Sequence, residues 1–124
     1  MPQLISVTLI LVGIIHLLPL SGVLGKMRLR ALYGIEVDET NLAILLRHRA
    51  VLLGLIGALM IEAAFDVAHQ GLAFTIAFVS VTSYLVIERI EGGGNAKLRR
   101  VAYVDWVALA LLVMGAVARF VSVR

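Results

Sequence analysis

The stretch NLAILLRHRAVLLGLIGALM, residues 41–60, decides the fold class of this chain. It is apolar and long enough to cross a bilayer, whose hydrocarbon core of about 30 Å needs about 20 residues of helix. Arg47, His48 and Arg49 nevertheless lie inside it. Because a charged side chain at that depth is costly unless a partner compensates it, the stretch predicts a transmembrane helix and a polar contact within a bundle.

The composition of the whole chain also indicates a lipid environment. Hydrophobic residues make up 61% of the 124 residues and charged residues 15%, whereas soluble domains have about 45–50% and about 25%. The absence of cysteine excludes disulfides, thiolate metal sites and iron–sulfur clusters. The net charge of +3 comes from basic residues at the ends of apolar segments, which is typical of membrane topology, so we expect no nucleic-acid partner and no cofactor.

Four apolar segments predict an all-α integral membrane protein, a single domain over residues 1–124. Their short connections favour an antiparallel four-helix bundle. Between the first two segments, KMRLRALYGIEVDET (residues 26–40) alternates basic and apolar side chains and predicts a short amphipathic segment on the membrane surface. The predicted transmembrane helices cover about residues 4–24, 41–65, 71–88 and 101–123.

The placement of basic residues predicts the orientation. Nine basic side chains lie in or beside the first and third connections, and two lie on the opposite side. By the positive-inside rule, both long connections face the cytoplasm and both termini face outside, which we assign to a bacterial inner membrane. The nine are Lys26, Arg28, Arg30, Arg47, Arg49, Arg89, Lys97, Arg99 and Arg100; the two are Arg119 and Arg124.

Counting the rise per residue places ionisable groups of three helices at one depth, about 12 Å inside the cytoplasmic end of the bundle. We predict that this inner polar layer binds a ligand head group or handles protons, or that it only holds the helices together. Pro19, three residues after His16, predicts a kink that would open a cavity there. The layer contains His16, Arg47, His48 and Asp105.

Two arginines compete for Asp105, because residues two apart on a helix point about 200° apart. Arg47 shares its face with small residues that suit close helix packing, namely Ala50, Gly54 and Gly57. We therefore predict an Arg47–Asp105 ion pair and expect Arg49 to reach the head groups. By the same depth argument Glu62 and Arg119 form a second ion pair near the outer surface.

Other kinds of site find weaker support in the residues. His16, His48 and Asp105 are metal-ligand types, but the neighbouring arginines would repel a cation, so we predict no metal site. A Ser-His-Asp triad would need Ser80 or Ser83, yet no GxSxG turn exists, and we name no catalytic residue. Tyr33 is interpreted as an anchor at the membrane interface.

The runs IIHLLPLSGVLG, LYGI and NLAILLRHRAVLLGLIGALM resemble the DoxX-like group of small four-helix bacterial membrane proteins. Some small proteins of this kind carry the label phosphopantetheine adenylyltransferase, but that soluble enzyme needs an α/β fold and an HxGH-type motif, which this sequence lacks. The resemblance implies a membrane subunit, with a membrane redox complex or a quinone as its partner.

The leading prediction is therefore a non-catalytic inner-membrane protein that acts as a membrane subunit or binds a quinone or lipid at the inner polar layer. One alternative is a small proton-coupled transporter that works as a dimer, although such proteins need an unpaired membrane carboxylate. Another is a lipid isomerase with His16 or Asp105 as acid or base. The sequence leaves a homo-oligomer open.

Overall fold

The computed structural model describes residues 2–123, and it is helical throughout with short turns. Within that range no strand occurs, and four helices are long and apolar enough to span a membrane. The protein is thus an all-α, multi-pass membrane protein, which confirms the predicted fold class. Its elements are α1 (Pro2–Leu17), a 3-10 helix (Leu18–Leu24), α2 (Lys26–Tyr33), α3 (Thr40–Ala63), α4 (Val67–Ile90) and α5 (Ala96–Val123).

The capping residues set where the helices start, and α4 and α5 both start earlier than the sequence predicted. Asp66 caps α4, since its Oδ1 accepts the Ala68 N–H at 3.0 Å, and α4 begins at Val67 rather than near residue 71. Asn95 Oδ1 accepts the Leu98 N–H at 2.9 Å, so α5 also begins earlier than residue 101. Side-chain caps of this kind satisfy backbone donors that the first helical turn leaves unpaired.

The chain changes helix type at the predicted kink. The α-helix of the first span ends at Leu17, and a 3-10 helix with Pro19 in its first turn continues to Leu24. Gly25 and Gly34 bound α2 with φ angles of 137° and 66°, which glycine adopts without steric cost. These two turns lay the amphipathic α2 against the end of the bundle, as the sequence predicts.

The four long helices occupy the corners of a square. Helix α1 packs against α3 and α5, and α4 packs against the same two helices. In the part of the chain that the structure describes, α3 and α5 lie diagonally opposite and do not contact each other. Helices α1 and α3 approach each other closely, because a Cβ atom built on Gly57 would lie 2.6 Å from the Gly13 carbonyl oxygen.

The outer surface of the square is apolar. Large hydrophobic side chains are exposed on every long helix, for example Leu11, Leu55, Val79 and Val107. A soluble monomer rarely exposes so extensive an apolar surface, whereas lipid chains cover it at little cost. The interior core contains Leu9, Val12, Met60, Val81 and Leu112.

Candidate functional site

His16 lies in the last turn of α1 and is 5% exposed. Its Nδ1 lies 2.9 Å from the Val12 carbonyl oxygen, and its Nε2 lies 2.8 Å from Ser80 Oγ on α4. A carbonyl oxygen only accepts, so Nδ1 carries the proton, and in the neutral ring Nε2 accepts the Ser80 hydroxyl proton. The histidine therefore connects two diagonal helices through a hydrogen bond.

Arg49 of α3 is held by two tyrosines. One of its terminal nitrogens donates a hydrogen bond to the Tyr33 hydroxyl of α2. Its guanidinium carbon lies 5.3 Å from the centroid of the Tyr33 ring and 6.0 Å from that of Tyr84 on α4. These distances are within the range of cation–π attraction, so the two rings and the hydroxyl fix the guanidinium inside the bundle.

Asp105 of α5 is partly buried in the same region. No group of residues 2–123 forms a hydrogen bond or an ion pair within 4 Å with its carboxylate, and the charge that acts on it most clearly is that of Arg49. Arg49 therefore takes the place near Asp105 that the sequence prediction gave to Arg47, but without direct contact. Among residues 2–123, Asp105 thus lacks the direct partner that would disfavour a proton-coupled transporter.

A cavity of about 300 Å³ is lined by His16, Asp105 and the two tyrosines that hold Arg49. It lies between the end of the first span, α2, α4 and α5, and most of its lining is apolar. His16 and Ser80 line it together with Asp105, while Lys97 and Arg100 are exposed residues of its lining. The complete lining is Ile15, His16, Leu18, Pro19, Ala31, Leu32, Tyr33, Leu53, Ser80, Tyr84, Lys97, Arg100, Val101, Val104 and Asp105.

Arg47 and His48 lie outside this cavity, and both are exposed. The Nε of Arg47 donates to the Val23 carbonyl oxygen at 2.9 Å. The small-residue face of α3 does mark a close helix contact, but the neighbour is the first span and not α5. The predicted Arg47–Asp105 pair is therefore absent, because α3 and α5 are diagonal and the Arg47 side of α3 faces the first span.

The outer ion pair also differs from the prediction. Glu62 Oε2 lies 2.9 Å from His69 Nδ1 across the turn between α3 and α4. Arg119, on α5, approaches Gly71 of α4, and among the described residues its buried Nε has no hydrogen-bond partner. Glu62 and Arg119 do not pair because each contacts a residue of α4 instead, His69 and Gly71 respectively.

The same turn holds the one group of described side chains that has metal-ligand types at suitable spacing. Glu62, Asp66 and His69 each offer a ligand atom, and these atoms lie within 4.8 Å of one another. Glu62 and His69 are exposed, and His69 Nδ1 contacts both carboxylates. The contacts of the group are thus explained by a local ion pair at the surface.

Sequence reasoning found His16 and Asp105 but missed the groups that complete the site. Tyr33 was interpreted as an interfacial anchor, and Ser80 was considered only as a nucleophile. A usable signal was present in α4, because Ser80 and Tyr84 are four residues apart and so share a helix face. Arg49 gave no such signal, since its neighbours on α3 are apolar and its contacts come from α2 and α4.

Comparison of the chain with protein-family models, curated proteins and solved structures finds no significant match. The resemblance to DoxX-like proteins therefore stays a prediction that rests on the residues quoted above. The cavity combines an apolar volume with a carboxylate that has no direct partner among residues 2–123, a histidine–serine hydrogen bond and two exposed cations.

Proposed function

We propose that this protein binds a lipophilic small molecule with a polar head group, a quinone or a lipid, in the cavity between the first span, α2, α4 and α5. In this proposal it is a non-catalytic membrane protein or the membrane subunit of a redox complex. The observation that carries the proposal is the carboxylate of Asp105, which faces an apolar cavity and has no partner among residues 2–123. A buried polar group without a partner is costly, and a bound head group removes that cost.

The size and chemistry of the cavity support a ligand of this class. Ligand pockets have volumes of about 300–1,000 Å³ and are mostly apolar with a few polar groups that fix orientation. At about 300 Å³ this cavity accommodates a head group and the start of a hydrocarbon chain. The rest of the chain would extend into the bilayer.

Native purification in mild detergent followed by mass spectrometry tests the proposal. We expect a lipophile to co-purify with the wild-type protein and to be lost from Val104→Trp, because Val104 lines the cavity and the indole would fill it. Val107→Trp is the matched control, since Val107 lies one turn further on the same helix and is exposed to lipid. The absence of any lipophile from both the wild type and the control would refute the proposal.

The proposed orientation in a bacterial inner membrane follows from the distribution of basic residues. It places the turn before α5 in the cytoplasm and the turn between α3 and α4 outside. Because the chain has no cysteine, Glu91→Cys and Ala68→Cys each give a single reactive thiol at an exposed position. An impermeant maleimide added to intact spheroplasts should label Ala68→Cys and spare Glu91→Cys; the opposite pattern would invert the topology.

A lipid isomerase is a second candidate, and one observation favours it. Asp105 lines the same cavity as His16 and forms no hydrogen bond or close ion pair with a described residue, so it can accept a proton from a substrate carbon beside a carbonyl group. Return of that proton to another carbon completes an isomerisation without a cofactor. Incubation with an unsaturated keto lipid distinguishes the candidates, since an isomerase would move the double bond, which the ultraviolet absorbance of the conjugated ketone reports, and a binding protein would not.

A further inference from the structure

The hydrogen bonds within the cavity define which head group it accepts. Ser80 uses its hydroxyl proton for His16 Nε2, and His16 Nδ1–H is used by the Val12 carbonyl. Neither residue has a proton left to donate to a ligand. Toward the cavity, Ser80 therefore offers only the lone pairs of its oxygen.

Two tyrosines and two exposed cations also line the cavity, and the Tyr33 hydroxyl, which accepts from Arg49, keeps its own proton. Tyr84 donates its hydroxyl proton to the Leu98 carbonyl oxygen at 3.1 Å, so it also presents an acceptor. Lys97 donates to the Ala31 carbonyl oxygen at 2.7 Å. Lys97 and Arg100 precede Asp105 by about 12 Å and about 7.5 Å along α5, at the rise of an α-helix. Along α5, the two cations therefore lie nearer the start of the helix and the Asp105 carboxylate lies deeper.

The deepest cavity-lining group on α5 is the carboxylate of Asp105, and an ionised carboxylate only accepts hydrogen bonds. A ligand whose oxygen atoms are all carbonyls or ethers cannot donate a hydrogen bond to this carboxylate. A ligand with a free hydroxyl donates a charge-assisted hydrogen bond, which is about twice as strong as a neutral one.

We infer that the cavity selects hydroxylated lipophiles, of the long-chain alcohol or alkylphenol class, through donation of the ligand O–H to Asp105. This inference rests on the proposed function and specifies its ligand. The hydrocarbon part packs against the apolar lining, and a hydroxyl at the depth of Asp105 supplies the partner that the protein lacks. Masking the hydroxyl as a methyl ether removes the donor while it keeps the shape nearly unchanged.

Equilibrium dialysis in detergent micelles measures this selectivity directly. The probes are a radiolabelled long-chain alkylphenol and its methyl ether, compared at mildly alkaline pH so that the carboxylate is ionised. We expect the phenol to bind wild-type protein about tenfold to a hundredfold more tightly than the ether, as a hydrogen bond to a charged group predicts. Asp105→Leu, which has no acceptor, should bind both probes equally and with the affinity of the ether.

Two further variants separate the outcomes. Asp105→Asn keeps the shape and a weaker acceptor, so it should retain a smaller preference and show that the site is folded. Glu91→Gln removes an exposed carboxylate outside the cavity lining and should preserve the full preference. Equal binding of both probes by the wild type would overturn this inference but leave the proposed function intact. Failure of both probes to bind would count against the proposed function itself, and a phenol preference that survives in Asp105→Leu would place the acceptor elsewhere.

Discussion

Replacement of Arg49 by lysine tests how the centre of the bundle is held. Lysine keeps the positive charge but loses the planar, forked group that contacts Tyr33 and Tyr84. The structure shows one hydrogen bond to the Tyr33 hydroxyl and two ring contacts at 5.3 and 6.0 Å. A hydrogen bond to a charged group contributes about 1.5–3 kcal/mol, and each cation–π contact about 0.5–1 kcal/mol.

Because the ammonium group recovers part of these interactions, we expect Arg49→Lys to lower the free energy of unfolding by about 1–3 kcal/mol. Arg47→Lys is the matched control, two residues away on the same helix. Arg47 is exposed and contacts the Val23 carbonyl, and an ammonium can donate to that oxygen as well. Its replacement should change stability by less than about 0.5 kcal/mol.

Equilibrium unfolding in mixed micelles of sodium dodecyl sulfate and a mild detergent, followed by circular dichroism, gives both values. A double-mutant cycle with Tyr33→Phe, which removes only the hydroxyl, should yield a coupling energy of about 1 kcal/mol with Arg49. If Arg47→Lys is the more damaging change, or if the coupling is zero, the assignment of Arg49 to the interior is wrong.

Three further predictions concern the contacts around this site. Gly57→Ala should cost about 1–3 kcal/mol, because its Cβ would lie 2.6 Å from the backbone oxygen of Gly13, whereas Ala58→Val on the exposed side of α3 should be tolerated. Ser80→Ala leaves the buried His16 Nε2 without a partner and should cost about 1–3 kcal/mol; Ser83→Ala, whose hydroxyl bonds to its own helix, is the control. At Glu39, hydrogen bonds from the Asn41 and Leu42 amides hold the pKa of the carboxyl below its ordinary value of 4.5. The wild-type protein should therefore gain stability from this carboxylate above pH 4.5 and lose it as the pH falls through the lowered pKa. Glu39→Gln should lack this stabilisation.

The same unfolding assay decides each of these three predictions. A stable Gly57→Ala protein would mean that α1 and α3 can move apart without loss. Equal effects of Ser80→Ala and Ser83→Ala would mean that the bond to His16 contributes nothing. A stability difference for Glu39→Gln that persists unchanged in acid would show that the carboxylate does not cap α3 through its charge.

The sequence alone determined the environment and the elements of this protein. Four runs of about twenty apolar residues leave the backbone no alternative to helix in lipid, because every N–H and C=O must be satisfied within its own segment. The segment between the first two runs predicted α2 for a different reason, because its alternating basic and apolar side chains are typical of an amphipathic segment. His16 and Asp105 also stood out from sequence, because ionisable groups are rare in such segments.

The tertiary structure decided which of these groups meet. Counting residues gives the depth of a side chain, but it does not give the order of helices around the bundle. The square places α3 and α5 on a diagonal. Arg47 then faces the first span, while Glu62 and Arg119 each contact α4 instead of one another. The small-residue face of α3 did predict a close neighbour, yet small residues do not specify which helix approaches them. Arg49 is held beside the cavity only because α2 and α4 bring Tyr33 and Tyr84 to it, and contacts between distant segments of the chain have no local signal in the sequence.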